Sequence, residues 1–142
     1  MHAALLALFA AAALQVSSAG DPAKMKEIME KCSGQNAISP DEMEALKSLT
    51  IPSSDAGKCF VGCLFEEVGM LTGGSFNRAT TEALARAKLQ EKPEELDKYM
   101  QLIEKCSDEV ASHDNKCETG PKLMECIKNY APGLGIVLAG SA

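Results

Sequence analysis

The chain has 142 residues and carries 20 acidic against 14 basic side chains, for a net charge of −6. That length fits one domain. The acidic balance argues against nucleic acid and against an anionic membrane surface as partners, since both are bound by clustered Lys and Arg.

Residues 1–19 read as a segment apart. The apolar run from Ala3 to Val16 is shorter than the about 20 residues that span a bilayer. Ser17-Ser18-Ala19 offers a small-residue cleavage site, so the expectation is a signal peptide cut near 19/20. Its n-region is weakly basic, with only His2 and the amino terminus to carry charge. Every Asp, Glu, Lys and Arg lies downstream, and residues 20–142 are expected to form a single domain.

That domain reads as all-α, with about six short helices. Asp21 and Pro22 suit the cap and first turn of a helix running to about Cys32, with Met25, Ile28, Met29 and Cys32 on one stripe. Ser39-Pro40-Asp41-Glu42 is a capping box that opens a second helix, with Met43, Leu46 and Leu49 inward and Pro52 as its stop. A third opens at Ser53 or Ser54, contains Cys59-Phe60-Val61-Gly62-Cys63 and ends between Gly69 and Thr72, before the flexible pair Gly73-Gly74. A fourth covers Arg78 to Leu89. A fifth starts at Pro93, where the helix dipole favours Glu94 and Glu95, and bears a stripe of Leu96, Tyr99, Met100, Ile103 and Cys106. A sixth follows Thr119-Gly120-Pro121 and carries Leu123, Met124, Cys126, Ile127 and Tyr130. Residues 131–142 form an apolar tail, and strand signals are nearly absent. Helices this short are marginal alone in water, so something must clamp them.

The cysteines are the natural clamp. Successive intervals are 26, 3, 42, 10 and 8 residues. Structural zinc sites use CxxC-type pairs or Cys with His, but only one pair here is close and His113 is the single histidine beyond residue 19. A redox pair favours CxxC at a helix start, whereas Cys59 and Cys63 fall mid-helix. Neither a metal nor a cofactor is expected. Positions i and i+4 share a helix face and point the same way, so Cys59 and Cys63 should bond outward to two other elements. An even count in a secreted chain implies three disulfides, and six cysteines leave fifteen pairings open.

The order Cys-x26-Cys-x3-Cys-x42-Cys-x10-Cys-x8-Cys resembles the six-cysteine insect odorant-binding proteins, which include the pheromone-binding proteins. The most distinctive intervals are Cys59-FVG-Cys63 and Cys117-ETGPKLME-Cys126, and the match spans Cys32 to Cys126. The resemblance implies the pairing Cys32–Cys63, Cys59–Cys117 and Cys106–Cys126. It implies an internal apolar ligand cavity and a secreted carrier in the sensillum lymph. Such a carrier binds small volatile hydrophobic molecules, odorants or pheromones, and takes them to an olfactory receptor or its membrane environment, as a monomer or weak homodimer.

Inward-facing positions supply the expected ligand contacts. Ile28 comes from the first helix, and Phe65, Val68, Met70 and Leu71 from the third and its exit. Phe76 and Leu89 flank the fourth helix, Tyr99 and Ile103 come from the fifth, and Met124 and Ile127 from the sixth. Ile136 and Val137 are expected to fold over the pocket as a lid. Phe65, Phe76 and Ile127 stand at offsets from the cysteines that resemble the family's lining positions. Tyr99, Tyr130 and Thr72 are the expected contacts for a ligand oxygen. Met70 occupies a position that is polar in some related pockets that bond small alcohols, which argues against an alcohol preference here.

Other classes fit less well. A small secreted hydrolase needs a placed His–Asp pair and usually a calcium loop. His113 and Asp114 are merely adjacent in a polar stretch, and Ser75 and Ser107 lack a nucleophile motif, so no enzyme is expected. A secreted interaction or inhibitor protein would present a rigid exposed loop or apolar face. A carrier of non-olfactory hydrophobic ligands would share the scaffold and differ in tissue.

Overall fold

Side-chain caps at Ser39, Ser54, Asn77 and Asn115 set where four of the helices begin. In the computed structural model, which describes residues 22–110 and 113–138, α1 is Pro22–Gln35, α2 Pro40–Lys47 and α3 Asp55–Glu67. A two-stranded hairpin, β1 Leu71–Thr72 and β2 Ser75–Phe76, leads to α4 Arg78–Lys88, α5 Pro93–Val110 and α6 Lys116–Tyr130. A 3₁₀ turn, Pro132–Leu134, follows. The expected signal peptide, the Asp21 cap and residues 139–142 of the tail lie outside the described residues.

Ser39 caps α2, its hydroxyl accepting from the Glu42 amide at 3.1 Å. The reciprocal half of the capping box does not form, because the Glu42 carboxylate turns onto Gly57 at the start of α3. There its Oε2 is buried without a hydrogen-bond partner among the described residues. The helix also stops before the expected Pro52. Leu49 takes φ 59°, Thr50 N–H donates to the Ala45 carbonyl and Leu49 N–H to that of Leu46. This is a Schellman closure with leucine at the position glycine usually fills, so Leu49 leaves the helix rather than extending its inner face. The same closure, built on Gly69 at φ 90°, ends α3 at Glu67 rather than between 69 and 72.

The hairpin is the one strand pairing among the described residues, and the sequence reading did not anticipate it. Leu71 opposes Phe76 and Thr72 opposes Ser75. Gly73 and Gly74, at φ 59° and 85°, supply the tight turn that a two-residue hairpin needs. The Thr119 hydroxyl holds that turn against α6, donating to the Gly74 carbonyl at 2.6 Å.

Helix α6 starts before Thr119-Gly120-Pro121 rather than after it. Asn115 is the cap, accepting from Cys117 N–H at 2.9 Å, so Cys117 lies in the first turn and Pro121 inside the helix. Pro121 lacks the N–H that would reach the Cys117 carbonyl. Close packing makes up for it: α3 and α6 form the most extensive helix contact among the described residues. They cross where two glycines meet, since a Cβ on Gly120 would stand 2.6 Å from the Gly62 Cα.

Three bridges clamp this frame: Cys32–Cys63, Cys59–Cys117 and Cys106–Cys126. They tie α1 to α3, α3 to the start of α6, and α5 to α6. The linked residues are 31, 58 and 20 positions apart, and closing loops of that size stabilises by about 3–4 kcal/mol each on the chain-entropy account. The buried apolar residues form two clusters on either side of α3. Ile28, Cys32, Phe60 and Cys63 centre one, between α1, α2 and α3. Leu71, Leu102, Val110, Leu123 and Ile136 belong to the other, between the hairpin, α5, α6 and the tail.

Candidate ligand pocket

The second cluster is open on one side. An apolar pocket of about 370 Å³ lies there, within the size range of small-molecule sites. Helical periodicity builds two of its walls. From α4 come Thr81, Leu84, Ala85 and Lys88, and from α5 come Tyr99, Leu102, Ile103 and Cys106. Each set follows the i, i+3, i+4, i+7 spacing of a single helix face. Leu123 and Ile127, one turn apart, supply the α6 wall. Val68 and Met70 at the α3 exit, Phe76 on β2, Leu89 and Leu138 complete the lining. Cys106 is itself in the wall, so the Cys106–Cys126 bridge fixes the angle at which the α5 and α6 walls meet.

Of the residues expected from sequence, Val68, Met70, Phe76, Leu89, Tyr99, Ile103 and Ile127 stand around this pocket. Six do not line it, Ile28, Phe65, Leu71, Met124, Ile136 and Val137, and each has a local reason. Ile28 is buried in the other cluster, because the Cys32–Cys63 bridge docks α1 on the α2 side of α3. Leu71 is 1% exposed and sits in the core behind the pocket wall, its strand alternation turning it inward. Phe65 packs against that same core, two residues beyond Cys63 on the face α3 turns to α5 and α6. Met124 is half-buried, rotated by one residue from the Leu123–Ile127 face.

The expected lid is also relocated. The chain reverses at Gly135, φ 76°, where Ile136 N–H donates to the Ala131 carbonyl. That turn buries Ile136 in the core, leaves Val137 86% exposed and brings Leu138 to the pocket. Ile136 and Val137 instead border a small crevice with Glu95, Lys98 and Tyr99, and Tyr99 lines both crevice and pocket.

Sequence reasoning missed Thr81, Leu84, Ala85 and Lys88, although their spacing was legible as one face of a helix. Few of them are large and apolar, so the face did not stand out. Of the polar candidates, Tyr99 alone lines the pocket. Thr72 is exposed, accepting from the Asn77 amide at 3.1 Å. Tyr130 packs on the outside of the core with the Lys105 ammonium 4.6 Å from its ring centre. His113 lies 3.9 Å from a Glu118 carboxylate oxygen and does not line the pocket.

A helical frame held by three disulfides around an apolar pocket defines a class, the small carriers of hydrophobic ligands. The chain belongs to the PBP/GOBP family, whose model matches residues 17–130. It is similar to general odorant-binding protein 56a of Drosophila melanogaster, 29% identical over 109 residues that cover 75% of this chain and 73% of that relative. Its fold is similar to that of the Drosophila odorant-binding protein OBP28a, with TM-score 0.67, 21% identity and coverage of 81% of this chain and 95% of the other. It is also similar to the fatty acid binding protein OBP56a from the oral disk of the blowfly Phormia regina, with TM-score 0.56, 24% identity and coverage of 78% and 91%. Three disulfides fit an extracellular protein. Among the described residues no helix is long and apolar enough to cross a membrane.

Proposed function

We propose that this protein is a secreted carrier that takes small volatile hydrophobic molecules into its pocket and moves them through the aqueous sensillum lymph to olfactory receptors. One observation carries the reading: three amphipathic faces, on α4, α5 and α6, enclose an apolar space that the chain's own side chains leave unfilled. Cores are normally packed without voids of this size, and here the bridges stabilise a frame that a packed interior would otherwise have to hold. Burial of an apolar ligand gains about 25 cal/mol per Å² removed from water, and a preformed site spares much of the ordering cost of binding.

Several finer points belong to the same proposal. Residues 1–19 direct export and are removed near 19/20. The tail acts as a wall through Leu138 rather than as a lid through Ile136 and Val137. The protein works as a monomer or weak homodimer and without catalysis.

Displacement of a fluorescent naphthylamine probe tests the reading. A carrier takes up the probe saturably and releases it to a panel of small apolar volatiles. Absence of probe uptake by the folded, oxidised protein overturns it. The fatty acid-binding blowfly relative is the reason to include fatty acids in that panel.

A further inference from the structure

Of the three helical walls of the pocket, two are clamped and one is not. The bridges join α1, α3, α5 and α6, whereas α4 carries no cysteine. The one buried residue of α4 is Thr81. The rest of its inward face, Leu84, Ala85 and Lys88, borders the pocket. That face looks onto open space rather than onto close-packed neighbours, so lifting α4 forfeits little packing. Its only extensive packing among the described residues is on α5. Among those residues, no hydrogen bond or ion pair joins α4 to another helix.

The two ends of α4 differ. Its first turn is knotted to the hairpin through Asn77. The Asn77 backbone N–H donates to the Met70 carbonyl at 2.8 Å, and its side-chain amide donates to the Thr72 hydroxyl at 3.1 Å. The Asn77 side-chain oxygen accepts from Thr80 N–H at 3.0 Å, and its carbonyl accepts from the Thr81 hydroxyl at 2.8 Å. Thr119 holds the hairpin in turn against α6. The other end has local bonds only: Leu89 N–H donates to the Ala85 carbonyl and Lys92 N–H to the Leu89 carbonyl, each at 2.9 Å. Gln90, Glu91 and Lys92 are exposed. Leu89 to Lys92 thus form a corner that spans roughly 13 Å at full extension. One end is a pivot and the other has slack.

We infer that α4 is the moving wall of the pocket. It lifts about its Asn77 end to admit and release ligand, and a bound ligand holds it closed. The 11 residues of α4 make an arm about 16 Å long, so a tilt of roughly 20° carries the far end roughly 5 Å. That exceeds the about 4.5 Å reach of apolar contact and parts Leu84, Lys88 and Leu89 from the facing walls. The bridged helices α3, α5 and α6 keep their places meanwhile. This inference rests on the carrier reading and adds to it the route into the pocket.

Amide hydrogen exchange, with and without the naphthylamine probe, tests it. Helix α2 is the internal control: it too has no bridge, but it lies across α3 and does not line the pocket. In the free protein, α2 and α4 should both exchange faster than α3 and α6 at their crossing. Probe at a hundred times its Kd should slow α4 by up to about a hundred-fold, since the open form does not hold it. It should leave α2 unchanged. Asn77→Ala removes the cap at the pivot and should raise the open fraction about five-fold. Probe release in stopped flow should quicken by the same factor, while exchange at the α3–α6 crossing stays as it was. Asn77→Asp keeps a capping oxygen and should release at a near-native rate. Exchange in α4 as slow as in α6, or slowed by the probe no more than in α2, overturns the inference. So does an Asn77→Ala protein whose α4 exchanges faster but whose release is unchanged, because the exit then lies elsewhere. Each of these results leaves the carrier reading standing, provided the probe binds. Absence of saturable probe binding overturns the moving wall together with the carrier reading.

Discussion

Replacing Gly62 by alanine should destabilise the protein, although alanine is the better helix former. In an open helix the exchange gains about 1 kcal/mol. At Gly62 the added Cβ overlaps the carbonyl oxygen of Lys116 and crowds its carbonyl carbon at 2.6 Å. That carbonyl is backbone in the first turn of α6, next to Cys117 and hence to the Cys59–Cys117 bridge, so it cannot swing aside as a side chain would. Overpacking costs about 1–3 kcal/mol, and a rigid neighbour puts the cost at the upper end. The net expectation is a loss of about 2 kcal/mol, a fall in Tm of roughly 6–10 °C for a domain of this size. Thermal unfolding followed by circular dichroism, with the disulfides intact, measures it. Gly34→Ala on α1 is the control, because its Cβ would meet nothing within 4 Å. It should raise stability by about 0.5 kcal/mol. A Gly62→Ala protein as stable as the native one would refute the crossing described here, and so would equal damage from Gly34→Ala.

Filling the pocket and hollowing the core should have opposite signatures. Ile127→Trp is expected to weaken probe binding by at least about ten-fold through loss of space, whereas Leu123→Ala should cost about 2–5 kcal/mol of stability by leaving a cavity in the core, read from urea midpoints. Removing Cys59–Cys117 as a double serine variant should cost about 4 kcal/mol and removing Cys106–Cys126 about 3, because the linked residues are 58 and 20 apart; a reversed order in urea unfolding would count against the loop-closure account. Tyr130 should titrate above the ordinary tyrosine value, because its hydroxyl hydrogen-bonds the Glu109 carboxylate, whose charge also disfavours the phenolate. A pKa raised in the folded state contributes stability that is complete below the ordinary value of about 10 and is lost as pH rises through the folded value. Phenolate absorbance should show this, with Glu109→Gln returning Tyr130 to the ordinary range.

Helix existence was legible in the sequence wherever a cap and an apolar stripe agreed, as at Ser39-Pro40 and along Tyr99, Ile103 and Cys106. Helix ends were not, because they depend on single residues accepting unusual backbone angles. Leu49 terminates α2 in a conformation leucine rarely takes, and nothing in its neighbours marks it. Gly120-Pro121 reads as a break, yet the approach of Gly62 and the bridge at Cys117 keep it helical. The pocket was half legible for a related reason. Periodicity shows which face of a helix turns inward but not which of two apolar clusters that face meets. Ile28 and Ile103 look alike in sequence; the Cys32–Cys63 bridge assigns the first to the packed cluster, while the second stands at the pocket. Lys88 was invisible as a wall residue because its charge disguised its place on an inward face.

The most direct test of the carrier account is a methyl-resolved NMR titration of the oxidised protein with a small apolar ligand. The account predicts saturable shifts at Leu84, Ile103 and Ile127, which line the pocket, with Ile28 unmoved in the cluster across α3. Shifts centred on Ile28, or no saturable shift at the three pocket positions, would contradict it.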